Sequence, residues 1–287
     1  MSDSPLERRF EVNGYSLAAK EWHVGAPLKV MATHGWLDNA ASFDAVAPYL
    51  SNCHVIALDL PGHGWSDHKS LQATYNIWDD LLDLLAVIDA LGWESCHLLG
   101  HSRGAIINML LAATMPEKIQ SAIFLDGITP GTVPLADAAN QLRQFLREQQ
   151  RMVRKKNLFY KTRDDAVRVR AMVSGNREST ARTLLERGLM ETTEGFTWTY
   201  DQRLRLPSGF KFSPEHMPSL YSAIRVPSLI ILAGDGEGDY RQAIVEQVAD
   251  KAAFHVITMP GSHHFHMEEQ APDVAEAVAS FLASHDV

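Results

Sequence analysis

Two hydrophobic rhythms alternate along the chain. Short continuous apolar runs predict strands, and stretches whose apolar positions recur every three to four residues predict helices. Strands are expected at residues 10–12 and 17–22, joined by Asn13-Gly14, a pair that favours a tight hairpin turn, and again at 28–34, 54–59, 96–99, 121–125, 227–233 and 254–259. Helices are expected at 40–50, 76–91, 105–115, 240–249 and 272–282. In the first of these Phe43, Val46 and Leu50 share one side. In the second, Trp78, Leu81, Leu82, Leu85 and Ile88 are expected to face inward, and Asp79, Asp80, Asp83 and Asp89 outward. Strands and helices alternating at this spacing specify an α/β protein with a mostly parallel eight-stranded sheet, covered by helices on both faces.

The alternation stops between residues 127 and 225, where the sequence is charged and helix-like with no convincing buried strand. Helices are predicted at 135–157 and 179–189, and Pro130, Pro134, Pro207, Pro214 and Pro218 mark their ends. The expected organisation is a core made of residues 1–126 and 226–287, with a helical cap inserted at 127–225.

At 287 residues and 46% apolar composition, the chain can bury a sizeable core. No apolar run approaches the roughly 18 residues of a membrane span, and the first residues lack the basic-then-apolar layout of a secretory signal, so a soluble, cytoplasmic protein is expected. Cys53 and Cys96 each open an apolar strand, which predicts buried, reduced thiols. A formal charge of −9 opposes a nucleic-acid partner. The charge is uneven: residues 143–170 hold ten Lys/Arg against three acids, a local +7 that leaves −16 elsewhere. Arg143, Arg147, Arg151 and Arg154 recur at helical spacing and give one basic face, either simply solvated or attractive to an anionic partner.

The strand at 96–99 runs into Gly100-His101-Ser102-Arg103-Gly104 and then straight into a helix. A Gly-x-Ser-x-Gly turn between strand and helix is too tight for side chains two positions before and after the serine, and it lifts the Ser102 hydroxyl clear of the sheet. The same turn aims the first amides of the helix, Arg103 N–H among them, at charge developing on a carbonyl oxygen.

Together with His34-Gly35-Trp36 after the third strand and Gly261-Ser262-His263-His264-Phe265-His266-Met267-Glu268 after the last, this turn resembles the α/β-hydrolase superfamily over nearly the whole chain outside the cap. The stretches 195–204 and 124–127 are similar to the branch called serine hydrolase-like proteins. The resemblance implies the α/β-hydrolase fold and a catalytic triad in the chain order serine, acid, histidine. Ser102 is then the nucleophile and His263 the base, with His264 as alternative. The acid falls by position on Glu237, while Asp126 at the end of the sixth strand competes for the role. The amides of Trp36 and Arg103 form the implied oxyanion hole, and 59–64 matches the family's structural turn. The Arg103 side chain is expected to pair with a carboxylate, Asp126 or an aspartate of the loop around Asp235.

The expected activity is a serine hydrolase that cleaves a small-molecule carboxylic ester, thioester or related activated acyl bond through an acyl-enzyme on Ser102. The alternatives are a carbon–carbon bond hydrolase and a non-catalytic or slow ligand-binding member of the fold. Haloalkane and epoxide hydrolysis on this scaffold use an aspartate nucleophile, against which Ser102 argues. No cofactor is expected. No metal is expected either, because His263, His264 and His266 have no partnering Cys or His motif elsewhere.

Overall fold

A computed structural model describes residues 4–152, 158–235 and 238–285. β1 (Leu6–Val12) and β2 (Tyr15–Trp22) form the expected hairpin, turning on Asn13 and Gly14 at φ of 50° and 85°. β3 (Leu28–Thr33), β4 (Cys53–Leu58), α1 (Ile77–Ala90), β5 (Cys96–His101), α2 (Arg103–Thr114) and β6 (Ile119–Leu125) follow. Between β6 and the sheet's next strand come α3 (Ala138–Met152), α4 (Arg163–Ser174), α5 (Glu178–Gly188), a small antiparallel pair β7 (Leu189–Thr192) and β8 (Gly195–Trp198), and α6 (Met217–Ala223). The chain ends on β9 (Ser228–Ala233), α7 (Gly238–Val248), β10 (Phe254–Met259) and α8 (Ala271–Ala283).

Eight strands form one sheet in the order β1-β2-β4-β3-β5-β6-β9-β10, and only the pairings of β2 are antiparallel. Because successive side chains leave a strand on opposite faces, each central strand feeds two cores. Met31, Ile56, Leu98, Phe124 and Ile230 pack with residues of α1 and α2 on one face, while Val30, Val55, Leu99, Ile123 and Ile231 pack with Phe43 and α8 on the other. Burial on both faces explains why these strands read as unbroken apolar runs. Cys53 and Cys96 are free and buried, and burial pushes their thiols up to about 11 and about 12.

Two expectations need correction. Residues 40–50 form two 3-10 turns, Ala40–Phe43 and Ala47–Tyr49, in place of one helix. Pro48, which has no N–H to donate, sits in the second turn. Phe43, Val46 and Leu50 are nevertheless all buried. In α1 the inward face is rotated: Asp80, Asp83, Leu84, Val87 and Ile88 are buried, whereas Trp78 and Leu82 are exposed. The buried aspartates are tolerated because Asp83 accepts hydrogen bonds from the Tyr15 hydroxyl and Asn13 Nδ2, and Asp80 faces a guanidinium. The stretch read as having no convincing buried strand holds the β7–β8 pair, short and mostly unburied. The expected helix at 135–157 is realised as a 3-10 turn plus α3, and its final residues, 153–157, lie outside the described residues.

Candidate active site

β5 ends in the turn that carries Ser102. Its φ of 52° and ψ of −115° place a non-glycine residue in a region that L-residues avoid, and the cost is met by packing on both sides. A Cβ on Gly104 would stand 2.0 Å from the Thr33 carbonyl oxygen, and one on Gly100 2.6 Å from Asn108 Nδ2. The bend is pinned by Ser102 N–H donating to the Leu125 carbonyl at 2.9 Å. Among the described residues, five non-glycine residues have positive φ, and three of them, Leu37, Ser102 and Asp126, are residues predicted for the site or next to one. Strain of this kind gathers where surrounding structure over-determines the backbone.

Asp126 follows β6 at the same end of the sheet. Its Oδ1 accepts a hydrogen bond from Ala233 N–H at 2.9 Å, and its Oδ2 lies 2.6 Å from His263 Nδ1. Ser102, Asp126 and His263 border one cavity of about 440 Å³, together with Ile106, Gly127, Tyr240 and Arg241. Arg241 is aimed by its own bonds to the Ala233 and Gly234 carbonyls at 3.2 and 2.6 Å. Of the two acids proposed from sequence, Asp126 is brought to the histidine, and Glu237 lies outside the described residues.

The loop bearing His263 is held from beneath. His101 Nε2 donates to the His263 carbonyl at 2.8 Å, which fixes the His101 proton on Nε2, since burial lowers this imidazole to about 4 and leaves it neutral near pH 7. His264 turns away from the cavity, and its Nε2 lies 3.2 Å from Asp38 Oδ2. Arg170 of α4 donates to Asp38 Oδ1 at 2.5 Å. Burial alone would raise the Asp38 carboxyl, but the neighbouring His264 and the Arg170 guanidinium outweigh it and hold it well below the usual range. His266 is buried too, with Nε2 3.0 Å from Ser42 Oγ. Two neighbouring histidines thus have different tasks, which their adjacency in sequence conceals.

Asp38, His101 and His264 each offer a ligand atom within 4.8 Å of the others, the one such group among the described residues. It differs from the histidine trio considered from sequence. The Arg170 guanidinium already bonded to Asp38 opposes a second positive charge at this point.

The side chain of Trp36 is half exposed and donates from Nε1 to the Leu204 carbonyl at 2.9 Å, so the inserted segment holds one end of the turn after β3. Arg103 opens α2, where the first amides have no acceptor within the helix. Its guanidinium donates to Asp80 Oδ2 at 2.5 Å. The expected partners, Asp126 and the loop around Asp235, are thereby corrected: Asp126 is engaged by His263, and the rotated face of α1 delivers Asp80. Asp59 anchors the structural turn by accepting from Ala40 N–H and Trp65 N–H at 2.7 and 2.9 Å.

Sequence reasoning did not single out Asp38, Arg170, Tyr240 or Arg241. The first stands two residues after Trp36 in a motif already in view, whereas Arg170 and Arg241 reach the site from helices distant in sequence and leave no local signal.

Sheet order, the strained serine turn and the strand-end acid and histidine define an α/β-hydrolase. The family described as the alpha/beta hydrolase fold matches residues 30–270, and the chain belongs to it. Within that superfamily it falls in the serine hydrolase-like branch. It is 30% identical to a serine hydrolase-like protein of Dictyostelium discoideum over 89% of this chain and 75% of that one. It is also 29% identical to serine hydrolase-like protein 2 of Homo sapiens, over 93% of this chain and 90% of the other. Among solved structures, a hypothetical protein from Pseudomonas aeruginosa PAO1 superposes with a TM-score of 0.91 at 35% identity, covering 97% of this chain and 98% of that one.

Proposed function

We propose that the protein is a serine hydrolase that cleaves a carboxylic ester, thioester or related activated acyl bond of a small molecule through an acyl-enzyme on Ser102. The observation that carries this reading is the 2.6 Å contact between Asp126 Oδ2 and His263 Nδ1, on the wall of the cavity that Ser102 also borders. With Nδ1 engaged by Asp126, the His263 proton acceptor is Nε2, free to take the Ser102 hydroxyl proton as Oγ attacks the carbonyl. The Trp36 and Arg103 amides receive the oxyanion, a contribution on the order of 3–4 kcal/mol for each donor. His263 then protonates the leaving group, and water attacks the acyl-enzyme by the same route in reverse. Residues 127–225 act as the cap over this cavity.

Two measurements test the assignment. A fluorophosphonate probe labels Ser102 stoichiometrically and fails on Ser102→Ala, an outcome a ligand-binding protein without a working nucleophile would not give. Asp126→Asn lowers kcat on p-nitrophenyl esters by about 10⁴-fold, the typical result of misorienting the triad histidine. Glu237→Gln leaves kcat within a few-fold; the reverse ranking transfers the acid role to Glu237.

A further inference from the structure

Three large aromatic side chains stay in water where burial would be favourable: Trp36 is 50% exposed, Trp78 39% and Phe210 55%. They are not scattered. All three line one cleft of about 210 Å³, with Phe212, Arg103 and Ile106 among the other walls. Ile106 also borders the cavity of Ser102, so the cleft and the reacting hydroxyl share a wall one helical turn past the serine. Gathered exposed apolar surface of this sort marks a binding site, whereas single exposed residues do not.

The walls favour a ring over a chain. Trp78 and Phe210 stand edge to face with centroids 6.0 Å apart, and Phe210 and Phe212 do so at 6.2 Å, which leaves ring faces and edges open to a further aromatic partner. The Arg103 guanidinium, its charge matched by Asp80, adds a planar cation to the wall. The volume lies below the roughly 300–1,000 Å³ of sites for drug-sized ligands, which suits one ring on a short linker. Trp36 is fixed through its bond to the Leu204 carbonyl, so that wall is preformed.

We infer that this cleft is the subsite for an aryl group carried by the substrate next to the scissile acyl bond. The inference rests on the proposed role of Ser102, and the test separates the two. Two fluorophosphonates are compared, one bearing a 2-phenylethyl arm and the other a 2-cyclohexylethyl arm. In both, Ser102 Oγ forms the bond to phosphorus, fluoride leaves with the electron pair of the broken P–F bond, and the hydroxyl proton passes to His263. The phenyl probe labels Ser102 at least about fivefold faster, the gain expected from two aromatic contacts beyond area burial. In Trp78→Leu/Phe210→Leu the ratio falls below about two, and in Trp78→Phe it is retained, which separates loss of the ring from loss of the fold. A ratio near one in the natural protein, or a ratio that persists in the double variant, overturns the subsite while the Ser102 assignment stands. Absence of labelling by either probe overturns both.

Discussion

The sheet and the middle of the segment between β6 and β9 are held by opposite chemistry. The sheet is sandwiched between two large clusters of Leu, Ile, Val, Met, Phe and Ala. The inserted segment has only a small cluster of its own, built on Tyr160, Ala166, Val167, Ala171, Ala181, Leu185 and Leu189. Ile128, Met217, Tyr221 and Ile224, at its two ends, join one of the sheet's clusters. The ties of its middle to the sheet side are directional and polar: Arg170 to Asp38, Arg187 to Asp59 and Glu7, Asn39 Nδ2 to the Leu184 carbonyl, and Trp36 Nε1 to the Leu204 carbonyl. Apolar burial is non-directional and tolerates sliding, while a desolvated ion pair fixes one arrangement. The comparison therefore assigns stability to the sheet, and the placement of the insertion's middle beside the site to a few polar contacts.

The strongest way to break that comparison is at Arg187. This arginine is 2% exposed, donates from NH2 to Asp59 Oδ2 at 2.7 Å and from NH1 to Glu7 Oε1 at 2.6 Å, and lies 4.0 Å from the centre of the Trp65 ring. Arg187→Met keeps the bulk but leaves the fully buried Asp59 carboxylate without its cation, which costs about 3–5 kcal/mol in urea unfolding. Adding Asp59→Asn recovers a large part of the loss. If Arg187→Met proves nearly neutral, the polar ties are ornamental and the comparison fails.

How much of this was legible follows the same division. The central strands of the sheet were read from apolar runs, because burial on both faces writes itself into consecutive residues, whereas β1, exposed along most of its length, was read only at 10–12 beside the Asn13-Gly14 turn. The serine turn was legible because Gly100 and Gly104 answer close backbone approaches that no other residue permits. The rotation of α1 was not. Its leucines suit several phases, and the choice is made by partners far along the chain: Arg103 for Asp80, and Tyr15 with Asn13 for Asp83. The ion pairs of the insertion were hidden for the same reason, since a charged residue in an exposed-looking helix carries no mark of the carboxylate it will meet. Asp126 stood only slightly ahead of Glu237 in sequence, and the contact between Asp126 and His263 is a fact of three dimensions.

Acid offers a second, smaller separation. Burial lowers His34, His63, His101 and His266, His101 to about 4. In the unfolded chain these imidazoles titrate near 6.5, so between about 6.5 and 4 the unfolded state binds more protons and stability falls as pH falls. The His101 share is about 3 kcal/mol, fully present above pH 6.5 and lost by pH 4. Asp38, a carboxyl held low, begins to lose its contribution only below its ordinary range, so the windows are distinct. Thermal melts between pH 7.5 and 4.5 should show the decline, and His101→Gln should flatten it. A melting temperature level across that range would contradict the neutral, buried assignment.

The smallest effect sharpens the comparison most. Thr162 caps α4, with its Oγ1 accepting from Asp165 N–H at 3.1 Å while Asp165 Oδ2 accepts from Thr162 N–H at 3.1 Å. Thr162→Ala removes the hydroxyl half of this box, at a cost of about 1 kcal/mol. α4 supplies Ala166, Val167 and Ala171 to the insertion's small cluster, and none of the residues in that cluster comes from the sheet. If the two regions open as separate cooperative units, the loss appears only where the cap acts: amides of α4 and α5 exchange about fivefold faster with solvent hydrogen, and those of β5 and β6 keep their protection. A uniform rise in exchange across both regions would mean that the charges at Asp38 and Asp59 join them into one unit. The contrast drawn between sheet and insertion would then describe composition and say nothing about how the molecule opens.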